Sequence, residues 1–323
     1  MNVLLVRAHH EPRCFCNALA ELTEKTLRER GHTVVVSDLP AMGFDPVSDR
    51  RNFTTVKDPA YLKQQVEETY ATEMNGFAPS LEAEIRKLEA ADLIIFSFPL
   101  WWFGLPAILK GWVDRVFAQS RIYGGEKLYE NGIGKSKKRG LILMSTGGPA
   151  TAYSGFGVNP SLATVLAPIQ HGVFWFNGIL PLEPFVAWGA SRVGAEQRTE
   201  YLHKLETRLS AIEAEKPIVL APLADFPHFG LDTKKRFMVT TSRIKPADET
   251  FTKLIPEELK HVAEFKRQGL ILEANFCAPT ASPWRVFLLF RESSEQAVRA
   301  HLETLPLAKA GYLAFEITEL AQV

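Results

Sequence analysis

Residues 91–116 read ADLIIFSFPLWWFGLPAILKGWVDRV. The run from Asp92 to Phe98 is of strand length and, apart from Asp92 at its start and the small Ser97, apolar, the pattern of a strand buried on both faces. Pro99 ends it, the dense aromatic group Trp101, Trp102 and Phe103 follows, and a helical pattern starts at Pro106 and reaches Phe117. A strand passing through an aromatic turn into a helix is one step of a strand–helix alternation. The question is whether the rest of the chain repeats it.

It does. Asn2 to Val6 and Thr33 to Leu39 (TVVVSDL) are apolar runs separated by a helical stretch from about Asn17 to Arg30 that stops at Gly31. Arg139 to Thr146 and Leu180 to Trp188 supply further strands, and helices are expected near Ser80 to Ala90, Pro160 to Phe174 and Ala195 to Glu215. Alternation of this kind predicts a doubly wound parallel sheet with helices on both faces. Ligands of such sheets bind beyond the carboxyl ends of the strands.

After Glu215 the texture changes. KPIVLAPLADFPHFGLDTKK (216–235) carries prolines without a helical period, and the sequence reading divides the chain into 1–228 and 229–323. Beyond it the order is strand (Arg236 to Ile244), helix (Pro256 to Gln268), strand (Leu270 to Cys277), strand (Arg285 to Arg291), helix (Ser294 to Thr304) and strand (Leu313 to Leu320). This βαββαβ order predicts an α+β, ferredoxin-like second domain.

Composition limits the function. The chain has 323 residues, 46% hydrophobic and 23% charged, with 37 basic against 37 acidic side chains. A balanced charge gives no reason to expect a nucleic acid or an anionic membrane as partner. No apolar run approaches a bilayer-spanning length, and MNVLLVRAHH lacks the features of a signal peptide, so a cytoplasmic protein is expected. Three cysteines fit a reduced compartment. Cys14 and Cys16 read as ordinary thiols at a helix start, Cys277 as a small core residue, and no metal site is expected.

Three strand ends carry polar or aromatic chemistry. In AHHEPRCFCNAL (8–19) the first strand gives way to a helix start, whose free N–H groups suit a phosphate. In STGGPATAYSGFGVNP (145–160) two glycines allow backbone to approach a flat ligand, and Tyr153 offers a phenol to a carbonyl or a developing anion. PLWWFG (99–104) adds aromatic walls. There is no GxGxxG and no GxxxxGK, so neither nucleotide fingerprint applies. A cleft of aromatic faces and backbone N–H groups with few charges suits a planar, redox-active ring with a phosphate tail, which is a flavin.

These strings, with SDLPAMGFDP (37–46) and LAPIQHGVFWFNGILPLEPF (166–185), resemble the flavodoxin-like NAD(P)H:quinone oxidoreductases of the DT-diaphorase type over roughly the first two thirds of the chain. The resemblance implies FAD rather than FMN, NADPH or NADH as hydride donor, ping-pong transfer to a small aromatic quinone, and a homodimer or, with a second self-associating domain, a tetramer. It implies FAD contacts at His9, Phe15, Pro99, Leu100, Trp102, Phe103, Ser145, Thr146, Gly147, Gly148, Tyr153 and Arg198. Trp101, Phe103, Tyr123 and Phe176 fall on substrate-pocket positions, with Tyr153 and Asn159 as the catalytic pair. Asn159 stands where mammalian members carry a histidine, and an amide donates a hydrogen bond but carries no proton. Gly125 replaces a pocket tyrosine, which should open the site, and Trp101 replaces a glutamine.

The remaining third, above all ELKHVAEFKRQG (258–269), RVFLLF (285–290) and HLETLPLAKAGYLAFEITEL (301–320), resembles the muconolactone isomerase-like ferredoxin-fold domains. Glu258, His261, Glu273 and His301 are its titratable candidates, although Glu258 and His261 read more simply as solvated helix residues and His301 as a surface one. Three functions stay open: a quinone reductase, a lactone or enol isomerase in the C-terminal domain, and a flavin-binding assembly protein with little turnover.

Overall fold

The computed structural model describes residues 1–135, 137–278 and 280–321. It divides into two compact units, Met1–Pro217 and Ile218–Val323. The division falls N-terminal to the expected 228/229, because residues 218–234 fold back within the second unit: Val219 N–H donates to Arg267 O, and Arg291 holds both Asp225 and Asp232.

The first unit contains β1 (Asn2–Arg7), α1 (Phe15–Glu29), β2 (Thr33–Asp38), α2 (Gln64–Met74), α3 (Pro79–Ala90), β3 (Leu93–Pro99), α4 (Ala107–Val116), β4 (Arg139–Ser145), α5 (Leu162–Ala167), β5 (Leu180–Pro181), β6 (Phe185–Ala187) and α6 (Ala195–Ser210). The sheet runs β2-β1-β3-β4-β5, with β6 also on β4, and every pairing is parallel. Two cores, one per face, confirm the doubly wound expectation. Leu4, Phe96, Trp112 and Phe174 pack one side, and Leu5, Leu19, Ile95 and Leu205 the other. All seven residues of β3 are buried, Ser97 among them, as its largely apolar run predicts.

Three expectations shift. The single strand expected over 180–188 is two short ones, because Leu182 N–H already pairs with Gly140 O and residues 183–184 leave the sheet before β6 rejoins β4. The helix expected over 160–174 is α-helical only to Ala167 and then widens into a π-helical turn over Pro168–Phe174, where Pro168 supplies no N–H. The helix α2 was not expected at all.

The second unit contains β7 (Lys235–Arg243), α7 (Glu249–Arg267), β8 (Ile271–Phe276), β9 (Arg285–Glu292), α8 (Glu295–Leu302), α9 (Pro306–Lys309) and β10 (Leu313–Leu320). Its sheet, β10-β7-β9-β8, is antiparallel throughout. Alternate residues Phe237 and Val239 of β7 and Val286, Leu288 and Phe290 of β9 build its core with Phe265, Val298 and Leu302. The helix α7 starts seven residues before the expected Pro256, because Asp248 caps it by accepting Phe251 N–H at 2.8 Å and Pro256 is carried inside. Cys277 lies just past β8 and is half-buried rather than core.

Candidate functional site

The carboxyl ends of β1, β3 and β4 meet in the first unit. Leu100 N–H donates to Ser145 O at 2.8 Å, tying the exit of β3 to the end of β4. The chain then turns over Trp101–Gly104, closed by Gly104 N–H to Trp101 O at 2.9 Å. Its two central residues, Trp102 and Phe103, both hold positive φ, 51° and 59°. That is the form of a type I′ turn, a place normally given to Gly or Asn. Trp102 is 97% exposed and Phe103 48%. Two large rings are thus held in left-handed backbone and turned into solvent, a combination typical of ligand clamps. Their N–H groups donate to no described residue.

The turn touches both neighbouring strand ends. The Trp101 ring lies 5.7 Å from His9 and 6.1 Å from His10, which stack on each other at 4.9 Å. Phe103 lies 6.2 Å from Tyr153. The loop 8–14 is shaped by Asn17 at the start of α1, whose buried amide donates to His9 O and Glu11 O at 3.3 and 2.8 Å. His9 Nδ1 accepts Glu11 N–H at 3.1 Å, so its proton sits on Nε2. Burial, and then His10, pushes the His9 pKa down. Cys14 caps α1 by accepting Asn17 N–H, and Cys16 is buried, so both have packing roles as expected.

After β4, Thr146 is held by its N–H to Ala187 O at 3.1 Å, and its Oγ1 lies 3.4 Å from the Tyr153 hydroxyl and accepts Gly148 N–H at 3.3 Å. Gly147 is exposed, its N–H unused by any described residue, and a Cβ there would meet nothing within 4 Å. A Cβ on Gly148 would lie 3.0 Å from Tyr153 Cε2, so glycine lets the phenol close on the strand end. Tyr153 is buried, its ring against Trp188 at 5.5 Å. Asn159 is half-buried beside this loop and closes it through its N–H to Ala152 O at 3.0 Å. Its amide side chain has no hydrogen bond among the described residues.

Two elements escaped the sequence reading. The segment after β6 zips onto the glycine turn through Gly189 N–H to Gly148 O and Ala190 N–H to Thr146 O, both 2.9 Å. The WGA string at 188–190, another strand end followed by glycine, was the available signal. Asn17, a lone asparagine in a helical pattern, gave none. Arg198 on α6 donates to Ala190 O at 3.3 Å and lies over Phe15 at 6.0 Å, which brings both expected residues to this end of the sheet.

Tyr123 and Phe176 are a different matter. They pack on each other at 6.1 Å, with Phe176 against Tyr129, beside a pocket lined by Gln64, Glu68 and Phe117. Among the described residues, no ring contact or hydrogen bond joins them to Trp102, Phe103 or Tyr153. Within one chain the structure thus brings Tyr123 and Phe176 together with each other, and Trp101 and Phe103 together with His9 and Tyr153. Gly125 holds φ at 61°, so glycine there has a backbone reason.

The candidates in the second unit scatter. His261 Nδ1 bonds Glu257 O, His301 pairs with Glu292 at 3.2 Å, and Glu273 is exposed. Glu258, expected to be solvated, is instead buried against Leu307 N–H at 2.9 Å, because its helix face lies over the sheet.

A parallel sheet of this order with a ligand cradle at its strand ends is a flavodoxin-like α/β unit. Residues 1–211 match the family described as having the flavodoxin-like fold, and the chain belongs to it. It is 38% identical over 224 residues to the protein named NAD(P)H dehydrogenase (quinone) 1 of Cavia porcellus, covering 69% of this chain and 81% of that one. It is 38% identical over 221 residues to the ribosyldihydronicotinamide dehydrogenase (quinone) of Rattus norvegicus, covering 68% and 95%. A solved structure described as a candidate quinone reductase from Klebsiella pneumoniae superposes with a TM-score of 0.64 at 33% identity, over 69% of this chain and 88% of that one. No described helix is long and apolar enough to cross a membrane.

Proposed function

We propose that the first unit is an NAD(P)H:quinone oxidoreductase working through bound FAD. The carrying observation is the exposed Trp101–Gly104 turn, with unused N–H groups at Trp102 and Phe103, whose Phe103 ring lies on Tyr153 and whose Trp101 ring lies on His9. A flavin held there would supply two-electron hydride transfer from NAD(P)H to a quinone. The residues of the chain do the rest. Trp102, Phe103 and Gly147 N–H groups, fixed by their turns, address a flat ring and the negative charge it gains on reduction. The Tyr153 hydroxyl, positioned by Thr146, donates to a ring carbonyl. The start of α1, with Phe15 and Arg198 beside it, holds the phosphate tail. Asn159 supplies an amide donor and leaves proton delivery to solvent.

The same reading includes a homodimer in which a second copy presents Tyr123 and Phe176 to the first copy's cleft, since within one chain no described contact joins them to Trp102, Phe103 or Tyr153. Trp102, Phe156 and Val158, all more than 90% exposed, are the apolar side chains such a copy would cover. The strand order and antiparallel pairing of the second unit favour the ferredoxin-like arrangement for it. For the isomerase reading, the four candidates do not come together among the described residues: His301 pairs with Glu292, which lies outside the apolar cavity that Glu258 lines, and Glu273 is exposed.

The test is the visible spectrum of the purified protein, followed under nitrogen by one equivalent of NADPH and then a benzoquinone. Bleaching by NADPH and recovery with quinone is the expected result, and chromatography of the released cofactor identifies FAD. A protein that stays colourless after incubation with FAD or FMN overturns the proposal.

A further inference from the structure

The second unit encloses a cavity of about 260 Å³ between α7 and the helix-facing side of its sheet. An apolar hole of about 150 Å³ already takes up benzene. The extra volume leaves room for a fused or substituted ring. Its walls are aromatic on several sides, with Phe251 on α7, Phe276 and Trp284 at the β8–β9 end, and Phe315 on β10. Ile255, Leu259 and Phe276 line it while remaining 36%, 50% and 55% exposed, so the cavity opens to solvent through an apolar mouth.

Two polar side chains interrupt the lining. Among the described residues Glu258 is the one ionisable group of the lining, and none of the other lining residues is a cation. Its Oε2 accepts Leu307 N–H at 2.9 Å, and its Oε1 takes no hydrogen bond from any described residue. Burial pushes its carboxyl up, against the opposing influences of Leu307 N–H and His261. Thr241, on β7, is 4% exposed, and its Oγ1 is buried without a hydrogen-bond partner. A buried hydroxyl without a partner, like that of Thr241, is costly unless something pairs with it, while Glu258 Oε1 is left free to accept from a ligand.

We infer that this cavity is a second small-molecule site, separate from the cleft of the first unit, that takes an uncharged, flat aromatic bearing a hydroxyl. The ring fills the Phe251–Trp284–Phe315 walls, and the hydroxyl donates to Glu258 Oε1. Rotation of Thr241 about χ1 exchanges its methyl for its hydroxyl and supplies a second partner. A carboxylate ligand is disfavoured, because Glu258 faces it with no cation to compensate. Phenols in general and the hydroquinones that a quinone reductase releases share this chemistry.

The probe is 2-naphthol, titrated calorimetrically into the full chain, with naphthalene, 2-naphthoate and 2-naphthylmethylammonium as comparators. Val262→Trp fills the cavity, Thr241→Val removes a hydroxyl at constant shape, and Glu258→Gln exchanges the acceptor. We expect 2-naphthol to bind the wild type, to bind Val262→Trp not at all, and to bind Glu258→Gln about fivefold more weakly, the worth of one hydrogen bond. 2-Naphthoate should not bind this site, and NADPH-dependent quinone turnover should be the same in all variants. 1,4-Dihydroxybenzene and 4-methylphenol as further ligands separate hydroquinones from simple phenols. Unchanged 2-naphthol binding in Val262→Trp, in a folded protein judged by its thermal transition, overturns the inference. If Val262→Trp does not fold, unchanged binding in both Thr241→Val and Glu258→Gln does so. Preferential binding of the ammonium overturns the ligand class.

Discussion

Trp102 and Phe103 hold a backbone conformation that costs an L-residue about 1–2 kcal/mol, and Trp102 recovers none of it through burial within its own chain. Trp102→Gly is therefore expected to stabilise the isolated chain toward urea by up to about 1 kcal/mol while weakening flavin retention, measured by fluorescence of released cofactor. Tyr153→Phe keeps the ring packed on Trp188 and removes only the donor, so kcat should fall about tenfold or more with little change in unfolding temperature. His9 makes a pH prediction. Its folded pKa is depressed below its ordinary value of about 6.5, so the unfolded chain takes up the proton first as pH falls. The contribution of the neutral ring is complete above that value and is lost as pH drops through it toward the folded one. The difference in thermal midpoint between wild type and His9→Gln should accordingly be larger at pH 8 than at pH 5. The glycine pair, Tyr153 and the aromatic turn were readable in the sequence because each is a chemical type out of place at a strand end. The left-handed backbone beneath Trp102 was not, since neither residue type favours it.

Elements were readable where apolar period or run length reported their burial. The run of β3 is buried on both faces and stood out, as did β7 and β9 with their alternation. The helix α2 did not, because what it buries is Glu67 and Glu68 with Ala71. Glu67 accepts Lys57 and Asp58 N–H at 2.8 and 2.9 Å, and Glu68 accepts Gln119 N–H at 2.6 Å. A carboxylate used as a hidden acceptor reads in sequence as a solvated charge, and Glu258 was misread for the same reason. Glu67→Ala should cost about 2 kcal/mol in denaturant unfolding, because two loop N–H groups lose their acceptor. Across α3, α4 and β2, Glu84 gathers Ser37, Lys87 and the Trp112 indole at 2.7, 2.5 and 2.8 Å. Lys87→Met, which strips the buried carboxylate of its cation, should destabilise by about 3 kcal/mol in the same measurement.

For the whole molecule, the cores of the two units share no residue, and the division between them was legible as a change of texture, though its place was not. Proline-rich sequence marks where regular structure stops; it does not say to which side the irregular chain returns. That Tyr123 and Phe176 make no contact with Trp102, Phe103 or Tyr153 among the described residues was equally invisible, since a sequence lists residues of one proposed site without saying how many chains build it. That separation has a genetic meaning. Mutants disabled at Trp102 and mutants disabled at Phe176 would each be null alone, yet co-expressed they would form mixed pairs in which one composite cleft inherits both intact halves. Restored turnover in the mixture, near a quarter of wild type when chains pair at random, would be intragenic complementation; its absence would assign both residues to a single chain's site.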